Sequence, residues 1–331
     1  MTPFFCADAS RRSAEDLIGS APAYETYLFI ECPQPWTVNV WDSKSVPPNL
    51  KAFVESTSRS RSDSSGVSPR TIKVLAIAAD KPNPSRKARV LAFHRQPFPS
   101  GGYTRREFRV NLEKVAPFLE RYLANPEAIR FSATDRPIRD FFVCTHGSHD
   151  KCCARYGNPF FRQARTIALN LGLRDVRVWQ VSHIGGHRFA PTAIAFPDGR
   201  YYGALDGESF AAIAQRKGDI RWIQNVYRGW GMLPRNVQAL ERELMLQSGW
   251  DWFNYCVDCQ VLEERPDFVR VEFCCRKPTG FSDCYEAELA ENEDKTVYLR
   301  GSCGSEKVSE FSKFSVRKLR LLAPSPITYH P

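Results

Sequence analysis

Apolar and polar residues alternate along this chain in a way that repeats. "TYLFIEC" (26–32), "IKVLAIAA" (72–79) and "ARVLAFHR" (88–95) are short, nearly continuous apolar runs of the kind that become buried strands. A helix is predicted near "PPNLKAFVEST" (47–57), and a second, amphipathic one at "NLEKVAPFLERYLAN" (111–125). The same order returns about a hundred residues later. A strand at "DFFVCTHG" (140–147) precedes a helix at "YGNPFFRQARTIALNLG" (156–172). Strands at "VRVWQVS" (176–182), "TAIAFP" (192–197) and "RYYGAL" (200–205) lead to a helix at "GESFAAIAQRKG" (208–218). Beyond residue 225 the pattern changes. "LPRNVQALERELML" (233–246) has Pro just inside its start and Val237, Leu240 and Leu244 on one face, which predicts a helix packed back onto the body. "VDCQVLEE", "FVRVEFCC" (268–275) and "KTVYLRG" (295–301) read as extended.

Strand, helix and strand followed by a hairpin, here turning at "FPDGRYY", and a last helix is the order of a thioredoxin-like unit. The predicted fold class is therefore α/β, with tandem thioredoxin-like units at 1–125 and 126–230 and a small, mostly β region after a helix at 231–331. A length of 331 residues, long for one core, agrees with several domains. The serine-rich "STSRSRSDSSGVSPR" (56–70) is too polar to fold alone and is expected as a surface loop. No basic stretch followed by a long apolar run opens the chain, and no segment approaches eighteen apolar residues, so a cytoplasmic protein without membrane insertion is expected. The net charge of +9 is spread out, which argues against a nucleic-acid arm and leaves a docking face for an acidic partner.

Candidate chemistry concentrates in two segments of the second unit. "FFVCTHGSHDKCC" (141–153) places Cys144 at a strand end and Cys153 at a helix start, where the positive end of the helix dipole favours a thiolate. "SHIGGH" (182–187) supplies His183 and His187 at i and i+4, but Gly185 and Gly186 between them make this a loop, and Ile184 stands where a zincin needs Glu. Two cysteines and two histidines on facing loops suit a Cys₂His₂ zinc site or a [2Fe–2S] cluster with two His ligands. A thiol–disulfide oxidoreductase using Cys152 and Cys153 is the weaker alternative, because a disulfide between neighbours is strained. The first unit supplies a control: Cys32 ends its strand, yet no second cysteine follows, and "KPNPSRKA" has no ligand. His146 and His149 are expected to be solvated loop residues, and Arg188 either to pair with a partner's carboxylate or to cap its loop. Cys256, Cys259, Cys274, Cys275, Cys284 and Cys303 lack a second CxxC or a His pair and are expected as small buried or free thiols.

"VCTHGSHDKCCARYG", "HIGGHRFAPTAIAFPDGRYYG" and "YRGWGMLPRNVQALE" resemble the sucrase/ferredoxin-like family of thioredoxin-like ferredoxins, and "DLIGSAPAYETYLFIECPQPW" extends the likeness over about residues 6 to 245. The resemblance implies a [2Fe–2S] protein. In the bis-histidine branch the pattern Cys-x₈-Cys and His-x₃-His falls on Cys144, Cys153, His183 and His187, with Cys152 one residue out of register. It implies an electron carrier whose histidine ligands couple proton to electron, provided their second ring nitrogen reaches solvent and is not locked to a buried carboxylate. An acidic ferredoxin or a pyridine-nucleotide-dependent reductase is the expected redox partner. No paired carboxylates support the glycosidase activity in the family's name.

Overall fold

The computed structural model describes residues 3–59, 71–78, 87–129 and 137–322. A short helix α1 (Cys6–Arg12) leads to β1 (Thr26–Glu31), α2 (Pro48–Arg59), β2 (Ile72–Ala78), β3 (Lys87–Arg95), β4 (Tyr103–Asn111) and α3 (Val115–Ala124). Then come β5 (Arg139–Cys144), α4 (Asn158–Asn170), β6 (Val176–Val181), β7 (Ala193–Phe196), β8 (Arg200–Tyr202), α5 (Gly207–Gln215) and β9 (Tyr227–Trp230). Of the predicted serine-rich loop, residues 56–59 continue α2 and residues 60–70 lie outside the described residues. The strand β4 was not predicted: "YTRREFRVN" carries charge at its outward positions, as sheet edges do, and it lies at the edge.

The strands form a mixed sheet in the order β4-β3-β1-β2-β6-β5-β7-β8-β9. Its two halves have one topology. β1 runs parallel to β2 and antiparallel to β3, which pairs with β4; β5 runs parallel to β6 and antiparallel to β7, which pairs with β8. They join where β2 meets β6 antiparallel, through Ile77↔Val181 and Ala78↔Gln180.

Strand alternation decides what each half buries. Leu28 and Ile30 face α2 and α3 through Leu50, Phe53, Leu119 and Tyr122, whereas Tyr27 and Phe29 belong to the core shared with the second half. Phe29 lies between Leu75 and Leu91, and Phe142 lies between Trp179 and Ile194, so the two phenylalanines are register equivalents. Their rings stack at 3.7 Å, those of Phe93 and Phe196 stack at 4.2 Å, and the Tyr27 and Tyr201 hydroxyls are 2.7 Å apart. Residues on strands well separated in the sheet order touch only because the halves, joined at one corner, fold inner face to inner face. Each then keeps its helices outside.

The C-terminal region is largely β. It begins with α6 (Gln238–Ser248), four residues later than the proline suggests, and continues with β10 (Cys256–Arg265), β11 (Phe268–Arg276), β12 (Ser282–Glu291), β13 (Val297–Arg300), β14 (Val308–Phe311) and β15 (Phe314–Leu321). β10, β11, β12 and β15 form one sheet, and β13 pairs with β14. The predicted inward face of α6 is as expected, with Val237, Leu240 and Leu244 all buried. Buried Glu241 of α6 accepts from Tyr227 and Trp252 and pairs with Arg200, so this region shares polar as well as apolar packing with the sheet. Cys274 and Cys284 are not free thiols. They stand directly opposite on β11 and β12, and that register closes a disulfide.

Candidate metal centre

Parallel pairing of β5 with β6 brings the two ligand segments to one end of the sheet. Cys144 is the last residue of β5, opposite Val181, the last of β6, and His183 follows two residues later. The ligand loop returns through a wide π-helical turn, Cys153–Gly157, that runs into α4; such turns recur at functional sites. Glycine is needed at its end. A Cβ on Gly157 would stand 2.0 Å from the Cys144 carbonyl oxygen, so only glycine lets this turn carry Cys153 against the strand end. The histidine loop is held by Arg228, a buried side chain that donates to the Gly185 carbonyl at 3.0 Å and the Ser20 carbonyl at 2.9 Å. Gly186 (φ 74°) passes over that guanidinium with no room for a Cβ.

Donor atoms of Cys144, Cys153 and His183 lie within 4.8 Å of one another, with Cys153 Sγ 3.8 Å from His183 Nδ1. The Cys153 thiol donates to Cys144 and holds it well below its ordinary pKa despite burial, with His183 adding to the effect; the same bond and burial push Cys153 up. The opposite directions have one cause, a single proton shared by two sulfurs, and a metal that binds both would displace it. The His187 ring lies 5.2 Å from that of His183, but its Nδ1 points away, to Asp150 Oδ2 at 3.1 Å and Cys6 Sγ at 3.4 Å. Burial alone would raise the Asp150 pKa, but bonds from His187, the Cys152 amide and the Cys303 side chain outweigh it and hold the carboxyl well below its ordinary range. An imidazole so held has one ring nitrogen engaged by a buried carboxylate and leaves Nε2 as the nitrogen that could face a metal. The condition for proton coupling through His187 is therefore not met.

Other expectations change here. His146 is buried, not solvated: its Nε2 bonds the Thr37 carbonyl at 2.7 Å and its Nδ1 accepts from the His183 amide at 3.3 Å, while burial lowers its pKa. His149 is exposed but stacks on the His183 ring at 3.9 Å. Arg188 is engaged within the chain, where it forks onto buried Glu15 at 2.9 and 3.1 Å and stacks over Phe311. Cys152 and Cys153 belong to different clusters, so the pair does not face itself. Cys152 meets Cys6 at 3.5 Å and Cys303 at 3.2 Å, with Cys6 and Cys303 3.6 Å apart and Asp150 beside them. Lone cysteines at 6 and 303 give no local signal of this meeting. Bonds from Cys6, the Ala7 amide and Cys303 outweigh burial and lower the Cys152 pKa to about 6.

Residues 17–229 match the model of the sucrase/ferredoxin-like family. The chain belongs to that family. The matched region holds Cys144, Cys153, His183 and His187 but neither Cys6 nor Cys303. "Altered inheritance of mitochondria protein 32" of Meyerozyma guilliermondii is 25% identical over 154 residues, covering 38% of this chain and 54% of the relative. The chain thus spans about half the length of that curated relative. No solved structure matches. Membership of the sucrase/ferredoxin-like family, together with two candidate ligand clusters, gives the chain a redox or metal-binding character, in a mixed α/β fold compatible with the thioredoxin-like superfamily. Among the described residues no helix is long and apolar enough to cross a membrane.

Proposed function

We propose that this chain is an electron carrier that holds one [2Fe–2S] cluster through Cys144, Cys153, His183 and His187. The observation that carries the reading is the convergence of the Cys144, Cys153 and His183 donors within 4.8 Å, with the His187 ring beside them, in a chain of the sucrase/ferredoxin-like family. The donors suit such a group: two buried sulfurs and the His183 imidazole converge, and the His187 imidazole stands beside them, outside the 4.8 Å group. When bound, the cluster would supply a one-electron couple. Around it the chain's residues have separate tasks. Asp150 holds the His187 ring through Nδ1, Arg228 fixes the glycine loop, and His146 ties the His183 backbone to the Thr37 carbonyl. In this reading residues 1–125 and 126–230 are tandem thioredoxin-like units, residues 231–331 are an added region, and the protein works in the cytoplasm. The charge of +9 favours an acidic redox partner, such as a ferredoxin or a pyridine-nucleotide-dependent reductase.

The second reading is a structural Cys₂His₂ zinc site. It has a specific observation of its own: 3.8 Å between Cys153 Sγ and His183 Nδ1 is close to the ~3.5 Å of sulfur and nitrogen donors sharing one tetrahedral zinc. Anaerobic purification followed by metal analysis, visible absorption and electron paramagnetic resonance separates the two. The cluster predicts two irons per chain, a coloured protein that bleaches with dithionite, and a signal only in the reduced state. A colourless protein holding zinc at Cys144 would establish the second reading instead.

A further inference from the structure

We propose that Cys6, Cys152 and Cys303, with the Asp150 carboxylate, form a second metal site that binds zinc and clamps the N-terminal helix and the β13–β14 turn to the start of the ligand helix. Three sulfurs at mutual distances of 3.2, 3.5 and 3.6 Å, with a carboxylate oxygen in the same 4.8 Å group, form the outline of a four-donor shell. Sulfurs on one tetrahedral zinc are about 3.8 Å apart, so a small outward movement admits the ion. A disulfide would join two of the sulfurs and strand the third beside a negative carboxylate. One dication satisfies all four groups.

The surroundings are those of a ligand set. The Ala7 amide donates to Cys152 Sγ at 3.4 Å, and Asp150 is fixed by the Cys152 amide at 2.8 Å and the Cys303 amide at 3.1 Å. Such outer bonds orient donors before a metal arrives. Cys6 and Cys152 are buried in an apolar shell of Ala7, Ala190, Phe4, Phe5 and Tyr156, while half-buried Cys303 leaves an entry path. Three thiolates select a thiophilic ion and disfavour magnesium or calcium. The site is separate from the first centre, with which it shares no proposed ligand, and it stands whether that centre holds iron or zinc. Asp150 touches both, because His187 Nδ1 bonds the same carboxylate oxygen as the Cys303 amide.

The test uses the full chain purified anaerobically from zinc-supplemented medium, with metals counted by mass spectrometry and Zn(II) affinity measured against a chromogenic chelator. Cys144→Ser should lose the metal of the first centre and keep about one tightly bound zinc. Cys6→Ser and Cys303→Ser should lose that zinc and keep the metal of the first centre. A serine variant that failed to fold would lose both, so Co(II) is also added to Cys144→Ser, where about one equivalent should give thiolate-to-cobalt charge transfer with a tetrahedral pattern. The proposal is overturned by absence of tight zinc in the wild type and of that cobalt spectrum. Zinc that leaves with Cys144→Ser but not with Cys6→Ser or Cys303→Ser also overturns it, as does a disulfide among the three cysteines in the intact mass.

Discussion

The two halves of the sheet share a strand order and a stacked aromatic core, yet among the described residues only one of them gathers candidate ligands. Register locates the difference. Phe29 and Phe142 are equivalent, so Cys144 corresponds to Glu31 and Cys32 corresponds to Thr145; the Cys32 amide bonds Ile77 as the Thr145 amide bonds Val181. The cysteine that ends the first half's strand is therefore one residue away from the ligand position, on the other side of the chain. What the first half contributes is support. Its loop after β1 takes a bond from His146 through the Thr37 carbonyl and one from Ser148 through the Trp36 carbonyl, and Gln34 meets Gln180. A copy that lacks ligands can still brace the copy that has them.

Replacing the two strand-end cysteines one at a time gives the largest contrast. Cys144→Ser should lower metal bound at the first centre about tenfold or more, whereas Cys32→Ser should leave it unchanged, as metal analysis would show. Equal losses would mean that Cys32 has a role its place in the register does not predict. Next comes the face the halves share. Phe29→Ala and Phe142→Ala should each cost about 3–5 kcal/mol in denaturant unfolding, and a clear excess in one would argue against a common core.

A smaller effect tests how the ends are attached. Asp16, in the segment before β1, is forked by Arg242 of α6 at 2.6 and 2.8 Å. Burial acts to raise its pKa, but Arg242 wins and lowers it to about 2. Because the folded value lies below the unfolded one, the stabilisation is complete above about pH 4 and disappears as pH falls toward 2, and it amounts to about 2 kcal/mol. Unfolding free energies measured across that window should fall less steeply in Asp16→Asn; parallel curves would remove the pair from the account. Smallest is His146→Ala, which breaks the bridge between halves and should cost about 1–2 kcal/mol and a few-fold in metal affinity, read by unfolding and chelator competition.

Much of the sheet was legible because buried strands are nearly continuous apolar runs, and β1, β2, β3, β5, β6 and β7 all are. Where one face is wet or the strand is an edge the signal fades, so β4, β12 and β15, rich in Arg, Glu and Lys, were missed. Cys144, Cys153, His183 and His187 stood out because two sequence-local pairs sit at the ends of adjacent strands. The group of Cys6, Cys152 and Cys303 left no trace in spacing, since each sulfur comes from a different region and only the tertiary fold brings them together. His146 was misjudged for the same reason: the element that buries it lies 109 residues away.

The distance along the chain between Cys6 and Cys303 also sets an order of events during synthesis. All four residues of the first centre have been made once the chain reaches residue 187, while Cys6 and Cys152 must wait for the β13–β14 turn. If both sites take metal as proposed, the ligands of the first are all synthesised before the third sulfur of the second exists. A chain cut before residue 303 would keep the four proposed ligands of the first centre and lose one of the three sulfurs of the proposed clamp, so a single truncation would separate the two sites.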